Sequence, residues 1–355
     1  MTFKELDHIL PDKNSALLFF KATEASLFIE WALPLLEEGY SVGIGTNKQL
    51  ENTATPYSKT PWKGVYLLHC PLQEVSILCF SSGTTNAQKG IVRTFKSWQK
   101  SFYLIVNIMG GQCSHNGIVL GALHFSLSLF GIMESLYRGK NAIVSNPKEL
   151  LKGSPCEEKK TFVLWATPLH CSFFINAYAI GHMTPQLNVQ FIFIGGAHFS
   201  NQQRDQLQTV FPKAAIYSFY GTSETSFISI KPPTDKSESV GTICQGVKVS
   251  IRNTKNKSLA KYTKGYIWVA GAHLFSNYIH NNFNNNSLEN YFLTNDLGYI
   301  DSKNRLFFAG RASENLSICG HKIDLHPLER WYKSSLNRET LALFAVPHAS
   351  KENKL

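Results

Sequence analysis

Residues 16–45 hold the arrangement that most narrows what this chain can fold into. Ala16-Leu17-Leu18-Phe19-Phe20 is an apolar run of strand length, and Tyr40-Ser41-Val42-Gly43-Ile44-Gly45 is a second. Between them, residues 24–38 place Leu27, Phe28, Trp31, Leu35 and Leu36 on one stripe at helical spacing. Gly39 then supplies a helix stop. Strand, helix and strand in this order predict a β-α-β unit, and such a unit demands a parallel pairing. The fold class expected is therefore α/β. Residues 46–65, polar and carrying Pro56 and Pro61, read as a surface connection.

Composition sets the outer limits. A chain of 355 residues with 43% apolar and 17% charged residues is globular, with room for roughly two or three domains. The formal charge of +10 comes without any Lys/Arg block, so no nucleic-acid partner is expected. It reads either as solubility or as attraction for anionic ligands. The seven cysteines have no CxxC spacing and several sit in apolar runs, which predicts buried free thiols in a reducing compartment. No signal-peptide core opens the chain, and the most apolar stretch, residues 117–137, is interrupted by His124 and Glu134. The expectation is a cytoplasmic protein with no membrane span.

A third strand-like run, Val75-Ser76-Ile77-Leu78-Cys79-Phe80, leads into Ser81-Ser82-Gly83-Thr84-Thr85-Asn86-Ala87-Gln88-Lys89-Gly90. Hydroxyls donate to phosphate oxygens, Gly83 lets backbone N–H groups close on an anion, and Lys89 adds a mobile positive charge. The spacing is not that of a Walker A loop, because Gln88 precedes Lys89 and Gly90 follows it. On residue types alone, a polyphosphate cradle and a plain polar turn both remain open.

The stretch resembles the phosphate loop of the adenylate-forming (acyl-activating) superfamily, which includes acyl- and aryl-CoA synthetases. That pattern is roughly Thr-Ser-Gly-Thr-Thr-Gly-x-Pro-Lys-Gly. Ser82, Gly83, Thr84, Thr85, Lys89 and Gly90 match it, whereas Asn86 and Gln88 replace its Gly and Pro. Further motifs follow in the family's order. Phe191-Ile192-Phe193-Ile194 ends in Gly195-Gly196-Ala197, similar to the turn that lies against adenine, or simply a strand-ending turn. Tyr220-Gly221-Thr222-Ser223-Glu224 resembles the Tyr-Gly-x-Thr-Glu motif, the alternative being a capped helix start. Thr294-Asn295-Asp296 resembles Thr-Gly-Asp, and Gly310-Arg311-Ala312-Ser313 resembles the hinge.

The resemblance implies a specific fold: layered, mostly parallel sheets with helices over residues 1–238, a β-rich subdomain over 239–310, and a hinge with a partial lid over 311–355. It implies ATP-dependent activation of a carboxylic acid to an acyl-adenylate, then transfer to a thiol such as CoA or a carrier protein, with Mg²⁺ as cofactor. Lys89 and the hydroxyls of Ser81, Ser82, Thr84, Thr85 and Ser223 would stabilise charge on the phosphates. Glu224 would hold Mg²⁺. Tyr220, beside Gly221, would stack on adenine. Asp296 would take the ribose hydroxyls, and Arg311 would reach ribose and phosphate.

Other helices and strands follow from pattern. Residues 95–110 read as a helix with Trp98, Phe102, Leu104, Ile105 and Ile108 inward, and residues 126–137 as another. Val119-Leu120-Gly121-Ala122-Leu123-His124-Phe125 reads as a strand between them. By resemblance His124 borders the acyl pocket, though a satisfied core histidine is the alternative. Phe125 stands where amino-acid-activating relatives carry an Asp, so an acid without an α-amino group (fatty, aryl or hydroxy) is expected. No lysine matches the family's lid lysine near the chain end, which predicts weak adenylation. The competing class is a non-catalytic nucleotide or acyl binder.

Overall fold

The computed structural model describes residues 10, 13, 16–46, 54–56, 64–68, 74–81, 89–111, 114–152, 160–181, 187–279, 287–288, 290–312, 315–318, 321–324, 346–347 and 353–354. Ser82, Gly83, Thr84, Thr85 and Ser313 lie outside these residues, as does the Asn-rich stretch 281–286. The chain divides into two compact units, residues 1–238 with 272–285, and residues 239–271 with 286–355.

The first unit opens with the β-α-β arrangement expected. β1 (Leu17–Lys21) pairs in parallel with β2 (Ser41–Gly45), and α1 (Ala25–Glu37) joins them. Phe28, Ala32, Leu35 and Leu36 form the buried stripe of α1, while Leu27 and Trp31 are only half-buried. Gly39 ends the helix at φ +91°, its N–H bonding the carbonyl of Leu36 at 3.1 Å, which a residue with a Cβ makes only under strain.

The connection after β2 is more regular than the sequence indicates. β3 (Ala54–Pro56) and β4 (Val65–Leu68) extend the sheet, β4 running antiparallel to β1 and β3 antiparallel to β4. Pro56 is tolerated because β3 is an edge strand. On the other side, β5 (Ser76–Phe80) pairs in parallel with β2, and β6 (Gly90–Thr94) folds back antiparallel on β5. A short return strand, Asn277–Tyr278, closes that edge antiparallel to β6. The first sheet is thus parallel at its centre and antiparallel at both sides.

The second sheet is parallel through most of its width. β7 (Asn116–Leu120), β8 (Ala142–Ser145), β9 (Thr161–Ala166), β10 (Asn188–Ile194) and β11 (Ala215–Thr222) pair in the order β8-β7-β9-β10-β11. β12 (Ser226–Lys231) returns antiparallel to β11. α2 (Phe95–Ile108) and α3 (Ser126–Tyr137) pack against strands of both sheets. Phe130 of α3 meets Trp98 of α2 at 5.5 Å, Trp165 of β9 at 5.3 Å and Phe227 of β12 at 5.0 Å between ring centroids. Each such fully buried aromatic contributes about 2–3 kcal/mol through removed apolar area. After the short helix α4 (Pro147–Leu151), α5 (Pro168–Ala179) and α6 (Asn201–Val210) bury Phe174 and Leu207 in a second core with Leu164, Ile192 and Ile216.

The strand expected over residues 119–125 is displaced. β7 ends at Leu120, and Gly121 turns the chain at φ +108°. His124 and Phe125 therefore sit past the strand end, where Phe125 forms an isolated parallel bridge with Phe80 of β5. Cys79, Cys171 and Cys244 are buried and free, as their apolar settings predict. No described helix is long and apolar enough to cross a membrane.

The second unit is antiparallel. Lys248–Arg252, Gly265–Ala270, Tyr291–Ile300 and Leu306–Arg311 pair in that order. Asn315–Ile318 and His321–Asp324 form a separate hairpin.

Candidate active site

β5 and β6 pair antiparallel, with the Ser/Thr/Gly-rich stretch between them in sequence. Phe80 pairs with Gly90 in the ladder. One step further out, the Ser81 N–H donates to the Lys89 carbonyl at 3.1 Å, and the Lys89 N–H donates to Ser81 Oγ at 3.3 Å. These two candidates are the neck of the loop, and residues 82–88 lie between them. Close approach of the return strand explains Gly90: a Cβ there would stand 2.7 Å from Ile279 Cδ1.

The Tyr-Gly-Thr-Ser-Glu segment is not a helix start. β11 continues through Tyr220, Gly221 and Thr222, and residues 223–225 turn the chain into β12. The Thr225 hydroxyl accepts from the Thr222 N–H at 2.9 Å and fixes this turn. Gly221 is required, because a Cβ would meet the Ser226 carbonyl oxygen at 1.8 Å. A bulge between Tyr220 and Gly221 re-aims the end of the strand. Glu224 projects from the turn, half-buried.

The return strand draws loop neck and turn together. Tyr278 Oη donates to Glu224 Oε1 at 2.9 Å, and Lys89 Nζ lies 5.5 Å from the centroid of the same phenol ring. The Phe275 N–H donates to the Glu224 carbonyl at 2.8 Å. Burial, together with the adjacent Glu224 charge, raises the Tyr278 phenol, so it stays a protonated donor. Beneath this layer Arg93 of β6 is fully buried. Its Nη1 donates to the Ser223 carbonyl at 2.7 Å, and its Nη2 donates to the His273 carbonyl. Burial pushes the Arg93 guanidinium down to about 10, which leaves it charged at neutral pH.

Two more candidates lie at strand ends of the second sheet. Gly195-Gly196-Ala197 follows β10, at the carboxyl edge where open α/β sheets accept ligands. Gly195 is buried, whereas Gly196 and Ala197 are exposed. His124, whose carbonyl accepts from the Phe80 N–H at 2.9 Å, stacks tilted on Phe125 at 4.2 Å. Burial lowers its pKa, so the imidazole is neutral at pH 7, and among the described residues its Nδ1 finds no hydrogen-bond partner.

In the second unit, Asp296 and Arg311 are cross-strand partners, with Arg311 Nε 3.6 Å from Asp296 Oδ1. Asp296 is 4% exposed, and its N–H donates to Thr294 Oγ1 at 3.2 Å. Asn295, between them, adopts φ +64°, a conformation asparagine tolerates better than most residues.

Among the described residues, no group of three His, Cys, Asp or Glu side chains gathers to hold a metal. One half-buried carboxylate, Glu224, beside a phosphate-type loop neck is what Mg²⁺ uses when it binds through substrate phosphates and water. Three contributors were not legible from motifs: Arg93, His273 and the role of Tyr278. The one available signal was an arginine inside the apolar run Gly90-Ile91-Val92-Arg93-Thr94.

Comparison with known proteins bears on the family and the fold. The uncharacterized acyl-CoA ligase YhfT of Bacillus subtilis (strain 168) is 27% identical over 277 residues, covering 76% of this chain and 55% of the relative. The chain thus spans little more than half the length of the curated relatives it matches. O-succinylbenzoate coenzyme A synthetase (MenE) from Bacillus subtilis, solved with AMP, superposes with TM-score 0.64 at 17% identity, over 90% of this chain and 69% of that one. ATP-bound MatB from Rhodopseudomonas palustris superposes with TM-score 0.66 at 17% identity, over 99% and 70%. These two are likenesses of fold. The AMP-binding enzyme family matches residues 1–279, and the chain belongs to that family.

Proposed function

We propose that this chain provides the nucleotide- and acyl-binding part of an enzyme that activates a carboxylic acid with Mg·ATP and passes the acyl group to a thiol such as CoA. The observation that carries the reading is the meeting of Lys89, Tyr278 and Glu224 at the neck of the Ser/Thr/Gly loop. A cation and a metal-type carboxylate held there suit a triphosphate. The name of the acyl-CoA ligase relative supports the acid and CoA as substrates.

In the reaction, a carboxylate oxygen attacks the α-phosphorus of ATP. A new P–O bond forms, the α–β bridging bond breaks, and pyrophosphate leaves with the electron pair. No protein nucleophile is needed. Lys89 and the hydroxyls of Ser81, Ser82, Thr84, Thr85 and Ser223 lower the cost of charge on the phosphates. Bound Mg²⁺, held by Glu224, would neutralise phosphate charge and orient the leaving group. Tyr220 and Gly195–Ala197 receive the adenine, and Asp296 with Arg311 receives the ribose. His124 and Phe125 border the acyl group. Because Phe125 offers no carboxylate for an ammonium, the acid is one without an α-amino group.

The test is calorimetric binding of Mg·ATP and AMP beside pyrophosphate exchange over a panel of aliphatic, aryl and hydroxy acids. Binding is expected, with no more than slow exchange for at least one acid. Binding without exchange would identify a nucleotide-binding module instead, and no binding at millimolar nucleotide would overturn the reading. A preference for an α-amino acid over its deaminated analogue would overturn the substrate class.

A further inference from the structure

Residues 272–285 belong to the first unit although a long excursion, residues 239–271, separates them from the rest of it. They run along β6, and Phe275 and Tyr278 also reach two residues proposed above to meet the phosphates. The Ile279 N–H donates to the Gly90 carbonyl at 3.0 Å, which fixes the return strand beside Lys89. The Phe275 N–H holds the Glu224 carbonyl, and the Tyr278 hydroxyl holds the Glu224 carboxylate. The Tyr278 ring also faces the Lys89 ammonium. One side chain therefore touches both the anion and the cation of the candidate centre, and it is 7% exposed.

We infer that Tyr278 is a positioning residue for the metal: by donating to Glu224 Oε1 it orients the carboxylate so that Oε2 is presented to Mg²⁺. The inference rests on the nucleotide-binding reading above. The physical reason is rotational. A lone glutamate on a turn samples several χ3 settings, and an ion sharing only one protein carboxylate loses affinity to each setting that points away. A phenol donor on one oxygen removes those settings while leaving the net charge of the carboxylate intact. Outer-shell donors of this kind typically alter metal affinity by about 10–100-fold. The aromatic face has a separate effect, confining the Lys89 ammonium by cation–π attraction without neutralising it.

The two effects separate by substitution. Tyr278→Phe keeps the ring against Lys89 and removes only the donor. The Mg²⁺ concentration giving half-maximal ATP binding is expected to rise about 10-fold or more in Tyr278→Phe. AMP affinity in EDTA should stay within about twofold, and the midpoint of thermal unfolding should change little. A general structural role would weaken metal-free AMP binding equally. In a Glu224→Gln background the added Tyr278→Phe change should have no further effect on Mg²⁺ dependence, because the carboxylate to be oriented is gone. Unchanged Mg²⁺ dependence in Tyr278→Phe, or equal loss of metal-free AMP binding, would overturn the inference while wild-type binding of Mg·ATP left the functional reading standing. Wild-type protein that binds no nucleotide would overturn both.

Discussion

Arg93 Nη1 donates to the carbonyl oxygen of Ser223 at 2.7 Å, across 130 residues of sequence. Its Nη2 bonds His273, so one buried guanidinium ties the strand after the phosphate-type loop to the Glu224 turn and to the return segment. Such a clamp is rigid because both acceptors are main-chain carbonyls, which have no rotamers to explore.

Arg93→Met is expected to destabilise the fold by about 2–4 kcal/mol, since the buried His273 carbonyl and the half-buried Ser223 carbonyl both lose their donor. Urea unfolding followed by tryptophan fluorescence measures it. A loss below about 1 kcal/mol would mean that water satisfies both carbonyls.

Acid should weaken the fold through His273. Burial, and then the charges of Arg93 and Lys100, depress its pKa from 6.5 to about 4. The unfolded chain therefore binds a proton between about pH 6.5 and 4 where the folded chain does not. Stability is present above that window and is lost as pH falls through it, by about 3 kcal/mol in all. His124 and His170, also depressed by burial, act with the same sign. Unfolding free energies at pH 7 and pH 4.5 should differ clearly in wild type and by much less in His273→Gln. An identical pH slope in the two proteins would remove His273 as the cause.

The two glycines after β10 should respond differently to alanine. A Cβ on Gly195 would stand 2.2 Å from the Phe219 ring, so Gly195→Ala should cost about 1–3 kcal/mol and disturb the strand end beside Tyr220. At Gly196 the nearest atom is 3.8 Å away, and only its φ of +92° opposes a side chain. Gly196→Ala should therefore cost about 1 kcal/mol. Thermal melts of both variants, with AMP affinity, check the order.

Asp296→Ala is expected to weaken AMP binding by about 1–3 kcal/mol, the cost of leaving ribose hydroxyls without their acceptor. Stability should change less, because Arg311 is more than half exposed and its pairing with Asp296 is long at 3.6 Å. Calorimetry and melting on the same samples separate the two effects.

Local sequence by itself determined the elements whose signals lie within a few residues. The apolar stripe of α1 with its Gly39 stop, the helix at Ser126–Tyr137 and the strand before Gly195 appear where periodicity places them. The parallel pairing of β1 and β2 follows from the helix between them, and the order of motifs along the chain was enough to indicate the family. Three things were settled only by the tertiary structure. The strand at Ala54–Pro56 forms because β4 offers it an edge, not because Ala-Thr-Pro favours a strand. Tyr220–Thr222 stays extended because β12 pairs with it, which no capping signal at Ser223 reveals. Tyr278 meets Glu224, and Arg93 meets the Ser223 and His273 carbonyls, because a return strand and a buried guanidinium bring together segments far apart in sequence. Periodicity reports which face of one element is buried; it carries no information about which distant carbonyl or carboxylate a buried polar group will find, because that choice is made by packing the whole unit.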